Sequence, residues 1–337
     1  MKKLNFSITN FDIIRTYGLY DDEVVKRIDN PDFHLYAVVS TLESHFTSFR
    51  KSNDGKIELE ITNGKEKEWY TFLITNFDAI DKDGNIVNVQ KEKFVFTDLN
   101  VDVKYNLSRT KAELSGCLKI NDIDCEFGPI IIDADEVYIS NCEDINFNVE
   151  YIGQSYGNAG EKNCYQRDKS HSTIQKIIAE KEKDFNTKCI YIIMMNSEYI
   201  EINNNFMIGD KIIAESPYLI NITDATKRSD GKYLNLLEAF LINYFKPKYN
   251  SDFVCGIVPS SKHTSYSVVL DDNYDDFSVI FTNQFLYTIG IDVTLSTNSN
   301  TIKIIKGAIE PAIHVSFKTA NTISPEDYYY SFFDYDK

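Results

Sequence analysis

The sequence lacks both a basic excess and a long apolar run. Lysine and arginine number 35 against 51 aspartate and glutamate residues, which gives a formal net charge of −16. This balance excludes a protein that grips nucleic acid through a uniformly basic surface. No stretch approaches the roughly 18 consecutive apolar residues that a membrane span needs. We therefore expect no membrane contact, and no secretory signal, because the two lysines near the start precede no apolar run.

Cysteine and histidine are too scattered to indicate a metal cluster. The six cysteines form no C-x-x-C pair, and no cysteine and histidine have the spacing of a zinc site. We expect buried or inert thiols in a cytoplasmic protein, since disulfides are rare in a reducing compartment. The hydrophobic share of 43% and the charged share of 26% are those of a folded globular chain.

Three segments of the chain differ in character. The length of 337 residues favours two to three domains. Residues 1–130 and 251–337 contain short runs rich in β-branched and aromatic residues between turn signals, among them a predicted strand at 35–42. We therefore predict a β-rich N-terminal domain and a β-rich C-terminal region. Residues 131–250 form a separate module in this interpretation, because 151–250 hold 13 basic and 12 acidic side chains and the acidic excess lies elsewhere.

The first helical pattern of the middle module carries polar residues on its apolar face. Helical spacing covers 163–184, where Arg167, His171, Ile174 and Ile178 lie at i, i+4, i+7 and i+11 and share one face. An inward arginine must meet carboxylate, carbonyl or phosphate oxygens. The pattern therefore indicates either a structural ion pair or an anion-binding role for Arg167.

The second helical pattern has a carboxylate on its apolar side. The helix is predicted over 233–245, with an apolar stripe formed by Leu234, Leu237, Leu241 and Phe245. Glu238 follows Leu234 by four residues and Leu237 by one. Burying a carboxylate costs several kcal/mol unless it meets a cation. The pattern therefore indicates either a salt bridge to a structural lysine or arginine, or a metal ligand.

Together with the tripeptide Tyr151-Ile152-Gly153, these residues resemble the GIY-YIG nuclease superfamily. The tripeptide stands where that family has its YIG, at the end of a predicted strand. Arg167 and His171 resemble the family's helix arginine, followed four residues later by a histidine or tyrosine. Glu238 resembles its metal-binding glutamate, and Asn250 stands where the family has an asparagine after the second helix. The resemblance covers about 131–250.

The first tripeptide of the family, GIY, is degenerate in this chain. It should stand about ten or eleven residues before YIG. Counting back eleven residues gives Val137-Tyr138-Ile139, with Ile139 where the family has tyrosine. A turn longer by one residue would bring Tyr138 into that position instead, so we take Tyr138 as the candidate.

The resemblance implies hydrolysis of a phosphodiester with one divalent metal ion. Glu238 would bind Mg²⁺ or Mn²⁺, and Arg167 would hold the scissile phosphate. Tyr151 would take a proton from the attacking water, aided by His171. Asn250 would orient the glutamate or pin the chain end.

The expected fold class is α+β: a small GIY-YIG-like three-stranded sheet with helices, flanked by β-rich segments. The expected function is that of a metal-dependent endonuclease, a hydrolase acting on DNA phosphodiester bonds. A catalytically inactive GIY-YIG-fold binding or scaffold protein is the alternative, because the module is neutral and its flanks are acidic. Those acidic flanks could also bind a protein partner.

Overall fold

Strands dominate the part of the chain that the structure describes. A computed structural model describes residues 2–22, 24, 26, 33–51, 57–64, 67–72, 77–89, 103–107, 110–120, 123–142, 144–155, 164, 171–181, 188–203, 207–208, 211–212, 227–228, 231–255, 276–281, 292–304 and 311–316. Its α-helices are α1 (Ala134–Asn141), α2 (Ser172–Lys181) and α3 (Gly231–Phe245), and a 3-10 helix spans Thr16–Tyr20. The strands are β1 (Lys2–Arg15), β2 (Leu35–Leu42), β3 (His45–Lys51), β4 (Ile57–Thr62), β5 (Lys67–Phe72), β6 (Phe77–Asp81), β7 (Ile86–Val89), β8 (Val103–Leu107), β9 (Lys111–Ile120), β10 (Ile123–Asp133), β11 (Asp144–Gln154), β12 (Lys188–Asn203), β13 (Met207–Ile208), β14 (Lys211–Ile212), β15 (Lys227–Arg228), β16 (Asp276–Phe281), β17 (Asp292–Ser296), β18 (Thr301–Ile304) and β19 (Pro311–Ser316).

The chain divides into two compact units. Met1–Thr41 and Asp144–Lys337 form the first, which we call the sheet unit, and Leu42–Glu143 form the second, which we call the inserted unit. The inserted unit interrupts the sheet unit between β2 and β11. The sequence predicts boundaries at 130/131 and 250/251, whereas this division falls at 41/42 and 143/144.

A nine-stranded mixed sheet forms the body of the sheet unit. Its strands follow the order β18-β17-β11-β2-β12-β1-β16-β19, and β15 pairs with β12 beside this path. β11 pairs antiparallel with β2 and parallel with β17, while β1 pairs antiparallel with β12 and parallel with β16. Strands from both ends of the chain and from its middle therefore belong to one sheet.

The predicted α+β class is wrong, because the protein is β-rich. The strands of the expected small sheet do not stand alone: β11, β2 and β12 are neighbours, but the sheet continues through β17 on one side and β1 on the other. A sheet of three strands alone would have two open edges, and each would leave a row of backbone N–H and C=O groups without partners. Here β17 pairs with β11 and β1 pairs with β12, so both edges of the expected small sheet are covered. Leu4, Phe6 and Ile8 alternate along β1 and are fully buried, which makes β1 part of the core.

Helix α2 packs on one face of this sheet, which we call the α2 face. Ile174 and Ile177 are buried there in a cluster that includes Tyr36 and Val38 of β2. Ile178 packs against the same cluster. Within the predicted helix of 163–184 the structure describes α2 as Ser172–Lys181, so the predicted face is confirmed for Ile174 and Ile178, whereas His171 precedes the helix.

Helix α3 is enclosed on most sides. Nine of its fifteen residues are buried, so it is a core helix rather than a surface one. The ring of Phe240 lies 5.0 Å from that of Phe277 in β16. The predicted helix and its apolar stripe are confirmed, and the members of the stripe are all buried: Leu234, Leu237, Leu241 and Phe245. None of the described helices is both long and apolar enough to cross a membrane.

The cysteines are all free thiols. Cys125, Cys164 and Cys189 are buried, Cys142 is half-buried, and Cys117 and Cys255 are exposed. Burial of the thiols is therefore confirmed for three of the six residues.

The inserted unit has its own core. Its five-stranded sheet follows the order β7-β6-β10-β9-β8, and its three-stranded sheet follows β3-β4-β5. Asp133 caps α1 by accepting a hydrogen bond from the backbone N–H of Asp135 at 3.0 Å. The core comprises Phe46, Leu59, Ile61, Tyr70, Ala112, Leu114, Ile132, Ala134 and Val137.

Replacing Leu114 with alanine should destabilise the inserted unit by about 2–5 kcal/mol, because the leucine is fully buried and its loss leaves a cavity. Trp69 of β5 is the single tryptophan of the chain, so its fluorescence during urea unfolding reports on the inserted unit. Ile131→Ala is the matched control, since Ile131 is 65% exposed and its loss should cost less than about 0.5 kcal/mol. Equal losses in the two variants would contradict this core.

Candidate functional site

Three aromatic rings from three segments meet on the α2 face; we call them the ring cluster. Tyr36 belongs to β2, Tyr151 to β11, and His171 directly precedes α2. The ring centroids of the two tyrosines are 6.0 Å apart, and the His171 centroid lies 5.6 Å from Tyr151 and 6.3 Å from Tyr36. Tyr36 is wholly buried, while Tyr151 and His171 are partly exposed. Tyr151 and His171 therefore keep part of their surface accessible to solvent, while Tyr36 is enclosed.

The pairing of β2 with β11 brings the two tyrosines together. Tyr36 pairs with Gly153, and Val38 pairs with Tyr151. Residues two apart on a strand share a face, so Tyr36 and Val38 both point to the α2 face and Tyr151 joins them. A Cβ atom on Gly153 would lie 2.6 Å from Cζ and Oη of Tyr36 and 2.8 Å from Cε1 of Tyr151. Glycine at this position therefore leaves room for both rings.

A buried carboxylate stands next to Tyr151 in β11. Glu150 is 1% exposed and accepts hydrogen bonds from Ser40 Oγ at 2.6 Å and Asn148 Nδ2 at 2.9 Å. Lys181, at the end of α2, lies 2.6 Å from the same carboxylate. Burial acts to raise the pKa of Glu150, but these three donors outweigh it and hold the pKa below the usual range of glutamate. Glu150 is thus ionised at neutral pH.

Helix α3 begins beside the end of β11. Gln154 Nε2 donates a hydrogen bond to Oδ1 of Asn235 at 2.6 Å. Glu238 follows Asn235 by three residues and so lies on the same side of α3. Its side chain is partly exposed. Glu238 therefore lies on the side of α3 that contacts the end of β11. Helix α3 packs on the face of the sheet opposite to the α2 face, because Tyr233 stacks at 3.8 Å on Tyr199, and Tyr199 alternates along β12 with Ile192 and Met194 of the α2 face.

Asn250 binds directly to β11, which contains Tyr151-Ile152-Gly153 and which we call the YIG strand. Its Oδ1 accepts from the N–H of Ile152 at 2.9 Å, and its Nδ2 donates to the carbonyl oxygen of Ile152 at 2.8 Å. The chain turns after α3, and the N–H of Tyr249 donates to the carbonyl oxygen of Glu150 at 3.1 Å. The side-chain amide thus pairs with β11 as a neighbouring strand would. Of the two roles that the resemblance implies for Asn250, this contact corresponds to pinning the chain end.

A polar group on the surface joins the end of α2 to the segment after α3. Tyr249 donates a hydrogen bond to Glu180 at 2.5 Å, and burial together with this bond raises the pKa of Tyr249. Lys176 and Lys248 each lie 3.8 Å from the Glu180 carboxylate. Tyr249 is therefore held protonated, as a donor between the two segments.

Three further predicted site residues are not part of the ring cluster as described. Glu238 belongs to α3, on the opposite face of the sheet. Arg167 lies outside the described residues. Tyr138 belongs to α1 of the inserted unit, where it packs on that unit's core and accepts a hydrogen bond from Asn63 at 2.9 Å. The tyrosine on the neighbouring strand whose ring lies 6.0 Å from that of Tyr151 is Tyr36, which the sequence-based spacing did not predict.

The sequence signal that could have indicated Tyr36 is its place in a predicted strand. This strand, 35–42, is confirmed by the structure as β2. The family spacing of ten or eleven residues directs a search to residues near 138, but the inserted unit lies between the two tyrosine strands. Tyr36 and Tyr151 are consequently 115 positions apart in the sequence.

The residues present fit a loosely held divalent ion better than a closed metal site. Among the residues that the structure describes, no three histidine, cysteine, aspartate or glutamate side chains converge as a metal cluster. Glu238 offers one partly exposed carboxylate. Mg²⁺ and Mn²⁺ accept such a site, because they bind hard oxygen ligands, and Mg²⁺ in particular keeps several of its waters.

No protein-family model, no curated protein and no solved structure matches this chain. A functional interpretation therefore depends on the residues and their geometry.

Gly153→Ala should destabilise the protein by about 1–3 kcal/mol, because the added methyl overlaps the buried ring of Tyr36. Urea unfolding followed by circular dichroism measures this loss. In a Tyr36→Leu background the same change should cost less, since leucine lacks the overlapping Cζ and Oη atoms. An equal cost in both backgrounds would show that the ring is not the obstacle.

Glu150→Gln should cost on the order of 3 kcal/mol at neutral pH, because Lys181 loses a buried charged partner. The folded-state pKa of Glu150 is depressed, so its stabilising effect is present above the unfolded pKa of about 4.3 and is lost as the pH falls below it. The stability difference between Glu150→Gln and the unaltered protein should therefore shrink between pH 7 and pH 3. A difference independent of pH would contradict an ionised Glu150.

Proposed function

We propose that this protein is a metal-dependent endonuclease of the GIY-YIG type that hydrolyses DNA phosphodiester bonds. The observation that carries the proposal is the ring cluster. The family has one tyrosine from each of two motifs, GIY and YIG, and Tyr36 and Tyr151 supply them from adjacent antiparallel strands. His34-Leu35-Tyr36 takes the part of the first motif, with histidine in place of its glycine.

Exposure divides the roles among the three rings. Tyr151 and His171 are partly exposed, so they can contact an attacking water or a phosphate oxygen. Tyr151 would accept the proton of that water, with His171 beside it to pass the proton on. Free tyrosine has a pKa near 10, so this role requires a nearby cation, which Arg167 would supply. Tyr36 is buried and fixes the other two rings.

Glu238 would hold the divalent ion at the end of the YIG strand. When bound there, Mg²⁺ or Mn²⁺ would supply positive charge for the leaving oxygen. Arg167 would bind the scissile phosphate and the negative charge that develops on it. Asn250 keeps the YIG strand in register through its two bonds to Ile152, which supports Tyr151 from the neighbouring residue.

A catalytically inactive binding or scaffold protein is the second candidate, and the charge favours it. The inserted unit holds 12 basic and 20 acidic residues, and the sheet unit holds 23 basic and 31 acidic residues. Neither unit therefore has the net positive charge that would attract DNA from a distance.

Incubation of the purified protein with supercoiled plasmid and with single-stranded DNA tests the proposal. We expect cleavage with Mg²⁺ or Mn²⁺ and none with a chelator. Glu238→Ala and Arg167→Ala should each abolish cleavage without unfolding the protein. Tyr151→Phe should lower kcat by about 10²–10⁴-fold, the usual contribution of a general base.

Tyr138→Phe is the matched control, because it removes the same hydroxyl from a tyrosine of the inserted unit. It should cut as fast as the unaltered protein. Unchanged cleavage by Glu238→Ala or Tyr151→Phe would refute the assigned roles. A folded protein that cuts neither substrate with any of the ions would favour the inactive candidate.

A further inference from the structure

The strand that carries Tyr151 contains one residue more than its partner. Val149 pairs with Val39 and Tyr151 pairs with Val38, so Glu150 has no partner of its own in β2. This is a β-bulge, in which two successive residues oppose one. If every residue of β11 were paired in turn, Tyr151 would stand opposite Ala37.

That difference decides which face Tyr151 occupies. Val38 lies on the α2 face with Tyr36, and Ala37, one residue away, points to the other face. A shift of one residue in register turns a side chain to the opposite face of a sheet. As long as Val149 stays opposite Val39, the ring cluster therefore exists only in the bulged register.

Glu150 holds the bulge from three directions. Ser40 donates from β2, Asn148 donates from β11 on the near side of the bulge, and Lys181 reaches it from α2. Ser40 and Asn148 are cross-strand partners, so the carboxylate joins both strands just before the extra residue. Charge-assisted hydrogen bonds of this kind are stronger than neutral ones, and leaving Lys181 without its partner in a nearly closed site would be costly.

We infer that Glu150 is a positioning residue of the proposed nuclease site: its carboxylate holds the extra residue of β11 and so keeps Tyr151 on the face that carries Tyr36 and His171. The inference rests on the proposed function for its catalytic consequence, but not for the arrangement itself. Glu150 is buried and does not contact substrate in this role. It acts through Tyr151.

The catalytic consequence is a loss of rate rather than of substrate binding. A base displaced by about 1 Å can cost on the order of a hundredfold in rate. Glu150→Ala should therefore lower kcat for plasmid cleavage by about ten- to a hundredfold and leave KM unchanged. Glu150→Gln keeps one acceptor oxygen and should lose less.

Asp144→Asn is the matched control. Asp144 lies on the same strand, accepts a hydrogen bond from Thr294 Oγ at 3.1 Å and lies 3.6 Å from Lys303, so it has the same kinds of partner as Glu150. It lies at the far end of β11 from Tyr151. The control should retain kcat, and an equal loss there would show that any charge change in β11 is sufficient.

A second measurement does not depend on nuclease activity. The chain has five histidines, so the imidazole C–H signal of His171 can be assigned in a proton spectrum by comparison with His171→Gln. The rings of Tyr36 and Tyr151 lie within 6.3 Å of His171 and should displace this signal. Glu150→Ala should move the signal as Tyr151→Leu does, while the other four histidine signals stay in place.

The two readouts separate the possible failures. Unchanged kcat and an unchanged His171 signal in Glu150→Ala would overturn the inference. A shifted signal in a protein that never cuts DNA would support the position of Tyr151 and overturn the nuclease proposal alone. If Glu150→Ala does not fold, Ser40→Ala removes one donor and should produce the same changes at smaller size; no change in Ser40→Ala would count against the inference.

Discussion

The register of β11 against β2 is the constraint on which the candidate site depends. Four consecutive residues of β11 each make a different contact in that register. Tyr151 joins the ring cluster, Ile152 bonds to Asn250, Gly153 lies under Tyr36, and Gln154 bonds to Asn235 of α3. A slip of one residue would break all four contacts at once, because the alternation of side chains is strict.

The same strand pair explains how the chain tolerates the inserted unit. Ser40 and Asn148 are paired across β2 and β11, so the chain leaves and re-enters the sheet unit at one end of an antiparallel ladder. The entropic cost of connecting two fixed strand ends increases only slowly with the length of the connection. The ladder therefore forms from residues that the sequence separates by more than a hundred positions, and the contacts of the ring cluster all lie within the sheet unit.

Patterns in the sequence predicted individual strands and helices correctly. They did not predict which distant strands pair with one another. The strand at 35–42 and the helix with Leu234, Leu237 and Leu241 follow from periodicity, since each buries a face that its own residues define. The α+β class failed because no periodicity indicates that β1 and β17 extend the sheet on either side. The contact between Tyr36 and Tyr151 was not predicted, because the motif spacing that indicated Tyr138 presumes a short turn where this chain has a whole unit. Glu150 carried no signal, because a bulge is a property of two strands together.

The charge of the protein constrains how such a site could meet DNA. With −16 overall and an acidic excess in both units, the field of the molecule opposes the approach of a polyanion instead of steering it. Affinity would then come from contacts close to the scissile phosphate, where a divalent ion at Glu238 and the Arg167 guanidinium would concentrate positive charge. Non-specific affinity grows with the number of phosphates that lysine and arginine neutralise, so a site with few such contacts would bind arbitrary DNA weakly. A nuclease with this acidic charge would therefore cut only DNA that contacts at the scissile phosphate hold in place, because long-range electrostatic attraction would not retain the substrate.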